Sequence, residues 1–403
     1  MNKVLLHTPD GVRDVYGSEY SDRLIIENKI HNVIKSYGYS DIDTPTFEFF
    51  DVFAEEINAS DARELYKFFD KDGNTLVLRP DFTPAIARCA SKVMLEDSKP
   101  VRVCYKGKTF LNTSSLQGKL KENTNIGVEL MNDSSVYADA ENIALLIEAL
   151  KSTGLTNFQI SIGDADYYKG ICEEAGIDAE TEEEIREQII DKNIFAVEGI
   201  LSERNVPEKY RGLIGKVAEF IGTDQALDKA QNEVSNKRSL DAIKRLKDLY
   251  RVLTNYGVEK YVSFDLGILS KFNYYTGVIF KGYTYEVGFP IIGGGRYDNV
   301  AELFGRTMEA VGFSMSLTLA ITALMRQGVE FKNEQASAIV GFDRSIKGAR
   351  AKAIALAKAL REEYTSVILD SEGMSEEELD QYSDLNNIPA TFYVNEGDEE
   401  GSL

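Results

Sequence analysis

The side chains equipped for chemistry are few and scattered. Histidine occurs twice, at His7 and His31. His31 falls on the apolar helical spacing Ile26, Ile30, Val33, Ile34, Tyr37 and reads as a helix-surface residue. Two imidazoles all but rule out a histidine-based metal site or a Ser-His relay. Cys89, Cys104 and Cys172 are odd in number and far apart, the usage of core thiols in a reducing compartment, so a cytoplasmic location is expected. Two acids stand out, Asp81 within Arg79-Pro80-Asp81-Phe82-Thr83, and Glu129. Each can be a ligand contact or half of a structural ion pair with Arg79 or Arg296. The neighbours Tyr274 and Tyr275 can line a binding wall or pack in a strand core. Gly293-Gly294-Gly295 permits close backbone approach and positive φ, as a ligand loop or a tight hairpin turn. It lacks the strand-to-helix frame of a phosphate-binding loop.

Charge narrows the chemistry further. The chain has 403 residues, 43% apolar, enough for two or three domains, and a net charge of −21. That balance is a poor start for holding a polyphosphate, because each phosphate contact draws on Lys or Arg. The acidity continues into Glu396-Gly397-Asp398-Glu399-Glu400, read as a solvated end. No run of 18 uncharged apolar residues occurs, so no membrane span is expected. Met1–Asp10 lacks a basic start followed by an apolar block, so no secretion signal is expected.

These residues must be positioned by a mixed set of elements. Ser21 or Asp22 can cap a helix running to Gly38. Strand-like runs follow at Thr75–Arg79, Val101–Tyr105 and Thr124–Met131, then an exposed-helix pattern over Asp139–Ser152 and a strand at Phe158–Ile162. From about Tyr167 to Tyr256 the sequence is charged and helix-forming, an insertion within one α/β unit. Strand pattern returns at Tyr261–Phe264, Val278–Thr284 and Tyr285–Phe289, with the three glycines as a turn. Polar Arg326–Gln335 reads as a linker. Beyond it, Ala338–Phe342, Ile346–Tyr364, Ser366–Leu369, Ser375–Leu385 and Ala390–Val394 alternate strand, helix, strand, helix, strand. So thin a core is expected to lean on a neighbour or partner.

Five segments, Thr44–Glu48, Leu78–Thr83, Phe110–Glu129, Leu266–Phe280 and Gly293–Phe313, together resemble histidyl-tRNA synthetase, a class II aminoacyl-tRNA synthetase. The resemblance covers roughly residues 5 to 325, and its most specific stretch is Gly107–Glu129. It implies an α+β fold with the class II antiparallel sheet, flanking helices and a helical insertion at about 165–257, all within residues 1–325. A small α/β domain over 336–403, a shortened anticodon-binding-like piece, completes the chain. The family meets charge building on the α-phosphate of ATP with arginines, and here Leu111, Leu319 and Ser270 occupy those places. Thr113 replaces the glutamate that helps hold adenine. Losing one such donor typically costs about 3 kcal/mol, and three losses approach roughly a millionfold, though such effects are not additive. Adenylation is expected to be lost.

The amino-acid side of that pocket is treated differently. By the resemblance Asp81 and Thr83 grip an α-ammonium, Asn125 and Glu129 match an amide and an acid facing the substrate, and Tyr274 and Tyr275 wall it. A small amphoteric ligand such as free histidine is its natural occupant. A scaffold so altered resembles the regulatory subunits of ATP phosphoribosyltransferase, paralogues of histidyl-tRNA synthetase. The resemblance implies no catalysis by this chain and no cofactor or metal. It implies partnership with a short-form catalytic subunit in a hetero-octamer, four of each, with dimerisation through the synthetase-like part. Free histidine is the implied feedback effector of this first step of histidine biosynthesis, and neither tRNA nor membrane is a partner. Two other readings stay open: a divergent synthetase using Lys106, Lys108, Lys119 or Lys121, and a free-standing amino-acid sensor.

Overall fold

The structure is a computed structural model that describes residues 6–54, 61–93, 99–113, 120–270, 275–285, 287–331 and 336–397. The chain divides into two compact units, Met1–Glu330 and Phe331–Leu403.

The first unit is built on one large sheet. Helix α1 (Gly17–Ser36) precedes β1 (Ser40–Asp41), β2 (Phe47–Phe49), α2 (Asp51–Ala54), β3 (Lys67–Phe69), β4 (Thr75–Leu78) and α3 (Thr83–Val93). The long hairpin of β5 (Val101–Phe110) and β6 (Glu122–Met131) follows, then α4 (Val136–Thr153) and β7 (Phe158–Asp164). Six helices come next among the described residues: α5 (Ala165–Glu174), α6 (Ala179–Ile190), α7 (Ile194–Glu203), α8 (Glu208–Lys216), α9 (Asp224–Glu233) and α10 (Lys237–Tyr256), with a two-residue β8 (Ile221–Gly222). The chain re-enters the sheet through β9 (Val262–Asp265), β10 (Val278–Thr284), β11 (Val287–Arg296) and β12 (Ala310–Ser316), and ends in α11 (Leu317–Arg326). Strand order is β1-β5-β6-β12-β11-β10-β7-β9-β8, with β2, β4 and β3 in a separate small sheet. The large sheet is antiparallel except where β1 joins β5 and β7 joins β9. Its shape follows from paired long strands whose inward residues, such as Ile126, Val128 and Leu130, are fully buried.

Three local expectations need correction. The first helix starts a turn before Ser21, at Gly17, with no side-chain cap on Tyr16, and Ser21 instead donates its hydroxyl to the Gly17 carbonyl. The helix over 136–153 is not exposed: Asp139, Asn142, Ile143 and Leu146 are all fully buried, because α1 and α10 cover it. Its polar residues suggested a wet face, but Asp139 points into an internal ion network and Asn142 donates to the Ala138 carbonyl and the Tyr39 hydroxyl. Finally, Gly293-Gly294-Gly295 is no turn. All three lie in β11, paired with Lys281, Phe280 and Ile279 on one side and Ser314, Phe313 and Gly312 on the other. None has positive φ. Two of them allow close approach: a Cβ on Gly294 would stand 2.6 Å from the Phe280 ring, and one on Gly295 2.7 Å from the Tyr275 ring, whereas Gly293 has nothing within 4 Å.

The second unit is a three-stranded parallel sheet, order β14-β13-β15, formed by β13 (Ala338–Phe342), β14 (Val367–Leu369) and β15 (Thr391–Val394). Helix α12 (Ala349–Leu360) packs Ala353, Ala357 and Leu360 on one face. Helix α13 (Glu376–Leu385), opened by a Ser375–Glu378 capping box, sets Leu379 against Ile339 on the other.

One buried charge cluster ties the insertion to the large sheet. Asp139 of α4 accepts from Arg296 of β11 at 2.7 and 3.0 Å, and from Arg245 of α10 at 2.6 and 2.9 Å. Removing a buried partner strands the other charges, at a cost of about 3–5 kcal/mol. Asp139→Ala is therefore expected to lower the thermal midpoint by roughly 6 °C or more, as read by circular dichroism. An unchanged midpoint would show that the network carries no stability.

Candidate functional site

Glu129 is the centre of the acid cluster. It sits on β6 at 1% exposure, across from Gly312 of β12. A Cβ at Gly312 would stand 1.7 Å from Glu129 Oε2 and 2.4 Å from the Val128 carbonyl oxygen, so a side chain there would displace the Glu129 carboxylate. Thr83, at the first turn of α3, donates to Glu129 Oε1 at 2.9 Å, and the buried Tyr297 hydroxyl donates to Oε2. Burial pushes the Glu129 carboxyl up to about 8; the nearby Asp81 charge pushes the same way, and the two hydroxyl donors oppose it. Asp81 accepts from the Phe82 N–H at 2.7 Å. Asp81, Thr83, Glu129, Tyr275 and Tyr297 line a cavity of about 30 Å³, roughly one water's share of liquid volume.

The expected alternative of ion pairs with Arg79 or Arg296 is not what forms. Arg79 spends its guanidinium on the carbonyls of Thr44 (2.7 Å), Pro45 (3.3 Å) and Lys108 (2.9 Å), stacked over Phe82 at 4.0 Å. Arg296 serves Asp139 and Asp298. Asn125 lies on the same strand as Glu129 but turns its amide to Thr109 Oγ1 at 3.0 Å, off the cavity lining. Tyr274 lies outside the described residues. Tyr297 was missed as a partner of Glu129. The signal available was its place directly after the glycine strand, where alternation turns one residue in two toward the pocket.

Beside this cluster runs a wider cleft of about 550 Å³. Leu111 and Thr113, past the end of β5, face Leu319 and Thr318 of α11 across it, with Leu120, Phe289 and Pro290 completing much of the wall. Among the described residues lining it, the one cation is Arg326, which is exposed. Nearby lysines are already engaged: Lys106 with Glu27 at 2.7 Å, Lys108 with Glu122, and Lys121 with the Asn112 side chain at 3.0 Å. Lys119 lies outside the described residues. The Ser270 carbonyl accepts from Arg186 at 2.6 Å. An apolar cleft of this kind can take up surface but offers little to a triphosphate.

His31, Asp41 and Cys104 also converge, their ligand atoms within 4.8 Å of one another. Asp41 already holds His31 at 2.6 Å and Lys35 at 2.9 Å, and these bonds keep its carboxyl well below the usual range. Burial pushes the Cys104 thiol up to about 12, so the thiolate a metal needs is disfavoured. No described helix is long and apolar enough to cross a membrane.

Similarity to known proteins agrees with this geometry. Residues 11–319 match the family described as histidyl-tRNA synthetase. A protein of Acetivibrio thermocellus, described as an ATP phosphoribosyltransferase regulatory subunit, is 38% identical over 96% of this chain and 92% of its own length. One of Ruminiclostridium cellulolyticum with the same description is 36% identical over 99% of this chain and 94% of its own. Among solved structures, an ATP phosphoribosyltransferase regulatory subunit/histidyl-tRNA synthetase from Bacillus halodurans superposes with a TM-score of 0.85 at 29% identity, covering 98% of this chain and 99% of that one. A histidyl-tRNA synthetase from Nostoc shares the fold, with a TM-score of 0.78 at 21% identity over 95% of this chain and 90% of its own. The chain therefore belongs to the ATP phosphoribosyltransferase regulatory subunit family, within the histidyl-tRNA synthetase-like group.

Proposed function

We propose that this chain is the non-catalytic regulatory subunit of ATP phosphoribosyltransferase. It is needed for the activity of a short-form catalytic subunit and lets free histidine inhibit it. The observation that carries the reading is the cleft in which Leu111 and Leu319 stand together and the one described cation is an exposed arginine. A synthetase active site cannot work with that lining, whereas a regulator has no use for the missing charge. Assembly follows as a hetero-octamer, four of each subunit, with dimers formed through the synthetase-like part. Phe47 and Phe49 on β2 and Phe69 on β3 are 52%, 53% and 73% exposed, an apolar surface that self-association would cover.

Histidine binds at the acid cluster in this reading. Asp81 and Thr83 take its ammonium, Glu129 its polar side, and Tyr275 walls it; Asn125 would join them only by giving up its bond to Thr109. The cavity of about 30 Å³ must widen to admit it, and the Tyr297–Glu129 hydrogen bond is the one that an imidazole N–H replaces. Histidine then shifts the complex toward whichever arrangement holds the wider cavity.

Co-purification with the cognate short catalytic subunit, followed by an assay of phosphoribosyl transfer to ATP, tests the function. Activity is expected to rise when this chain is added and to fall with histidine. Equal activity without it, and no association, would refute the reading. Glu129→Gln is expected to weaken histidine inhibition about tenfold, the loss of one well-placed buried hydrogen bond, with transfer in the absence of histidine unchanged. Inhibition at the parent concentration would move histidine to another site.

A further inference from the structure

A further pocket opens between the turn that joins α6 to α7, strand β8 and strands β9 and β10. It encloses about 410 Å³, within the ~300–1,000 Å³ typical of small-molecule sites. Ile190, Ile194, Ile221 and Ile268 give it an apolar wall. Ile194 and Ile221 remain 38% and 58% exposed, apolar surface that a ligand would cover. The polar members of the lining are Lys192, Asp265, Lys281 and Tyr283.

Both lysines sit where lysine is unusual. Lys281 lies within β10, paired with Gly293 of β11 and Ser161 of β7, so it is in the middle of the sheet rather than at an edge. It is partly buried, and burial holds its ammonium below the ordinary range. That ammonium donates to the Leu269 carbonyl at 3.0 Å, one of the three hydrogen bonds it can give. Asp265 attracts it by charge while accepting from the Gly267 N–H at 2.9 Å. Lys192 has a φ of +56°, just past the end of α6, where glycine or asparagine is the ordinary choice. The other non-glycine residues with positive φ among those described are Asn132, Asn205 and Asn387. A lysine kept there strains the backbone and brings a second ammonium to the lining. Two ammoniums against one carboxylate leave the described lining with one positive charge in excess, in a chain whose net charge is −21.

We propose that this pocket binds a small apolar monocarboxylate, with its carboxylate on Lys281 and Lys192 and its hydrocarbon body on the isoleucines. Charge balance selects the monoanion. A dianion overshoots the surplus, and the ammonium of a zwitterion has to compete with Lys281 for Asp265. The acid cluster around Glu129 has the opposite character, since Asp81 and Glu129 line it with no cation among the described residues. The two sites therefore take different ligands.

Isothermal titration calorimetry on the purified full chain tests this, with 4-methyl-2-oxopentanoate, 3-phenylpropanoate and octanoate as probes. The primary amide of each probe serves as its uncharged control. At least one monocarboxylate is expected to bind, and its amide at least tenfold more weakly. Lys281→Met is expected to weaken that binding at least tenfold. Lys192→Gly is expected to weaken it at least threefold without lowering the thermal midpoint, because glycine suits the left-handed position; this guards against a folding defect in Lys281→Met. Glu129→Gln is expected to leave it unchanged. No binding by any probe overturns the proposal. So does an amide that binds as tightly as its acid, binding that both lysine variants leave unchanged, or binding that Glu129→Gln abolishes.

Discussion

Negative charge developing on a phosphate has to be met by cations already in place, and among the described residues lining the wide cleft the one cation is the exposed Arg326. Leu111 and Leu319 face one cleft, and Lys106, Lys108 and Lys121 are committed elsewhere. In a water-poor cleft such donors carry much of the rate enhancement of acyl and phosphoryl chemistry. The rest of the molecule keeps the synthetase-like sheet without that set of charges.

The centre of that sheet is closely packed for a specific reason. Strand β11 runs between β10 and β12, and its Gly294 and Gly295 let Phe280 and Tyr275 pack against the backbone with no side chain intervening. Gly312 likewise leaves the space that Glu129 fills. Next to this close packing, Asp139 binds Arg296 of the sheet and Arg245 of the insertion. The sheet, the covering helix α4 and the insertion are thus joined by charge as well as by apolar contact.

Much of this was legible in the residues, and the failures have physical causes. The strand-like runs read at Val101–Tyr105, Thr124–Met131 and Val278–Thr284 fall within β5, β6 and β10, though β5 runs on to Phe110 and β6 starts at Glu122, and the losses at Leu111 and Leu319 were visible by resemblance alone. The glycine run misled because glycine serves close strand packing as readily as a turn, and only the paired strands tell the two apart. Helix α4 looked exposed because Asp139 and Asn142 are polar, yet both are fully buried among partners distant in sequence. The Tyr297–Glu129 hydrogen bond joins residues 168 apart in the chain. No local pattern encodes it.

The central claim is that this cleft cannot activate an amino acid. ATP–pyrophosphate exchange by the purified chain, with saturating histidine and magnesium, measures that step alone. The account predicts exchange no faster than a protein-free control, and a cognate histidyl-tRNA synthetase assayed alongside should exchange rapidly. Exchange well above background that disappears in a Lys121→Ala variant would contradict it, since a lysine would then be performing the work assigned to the missing arginines.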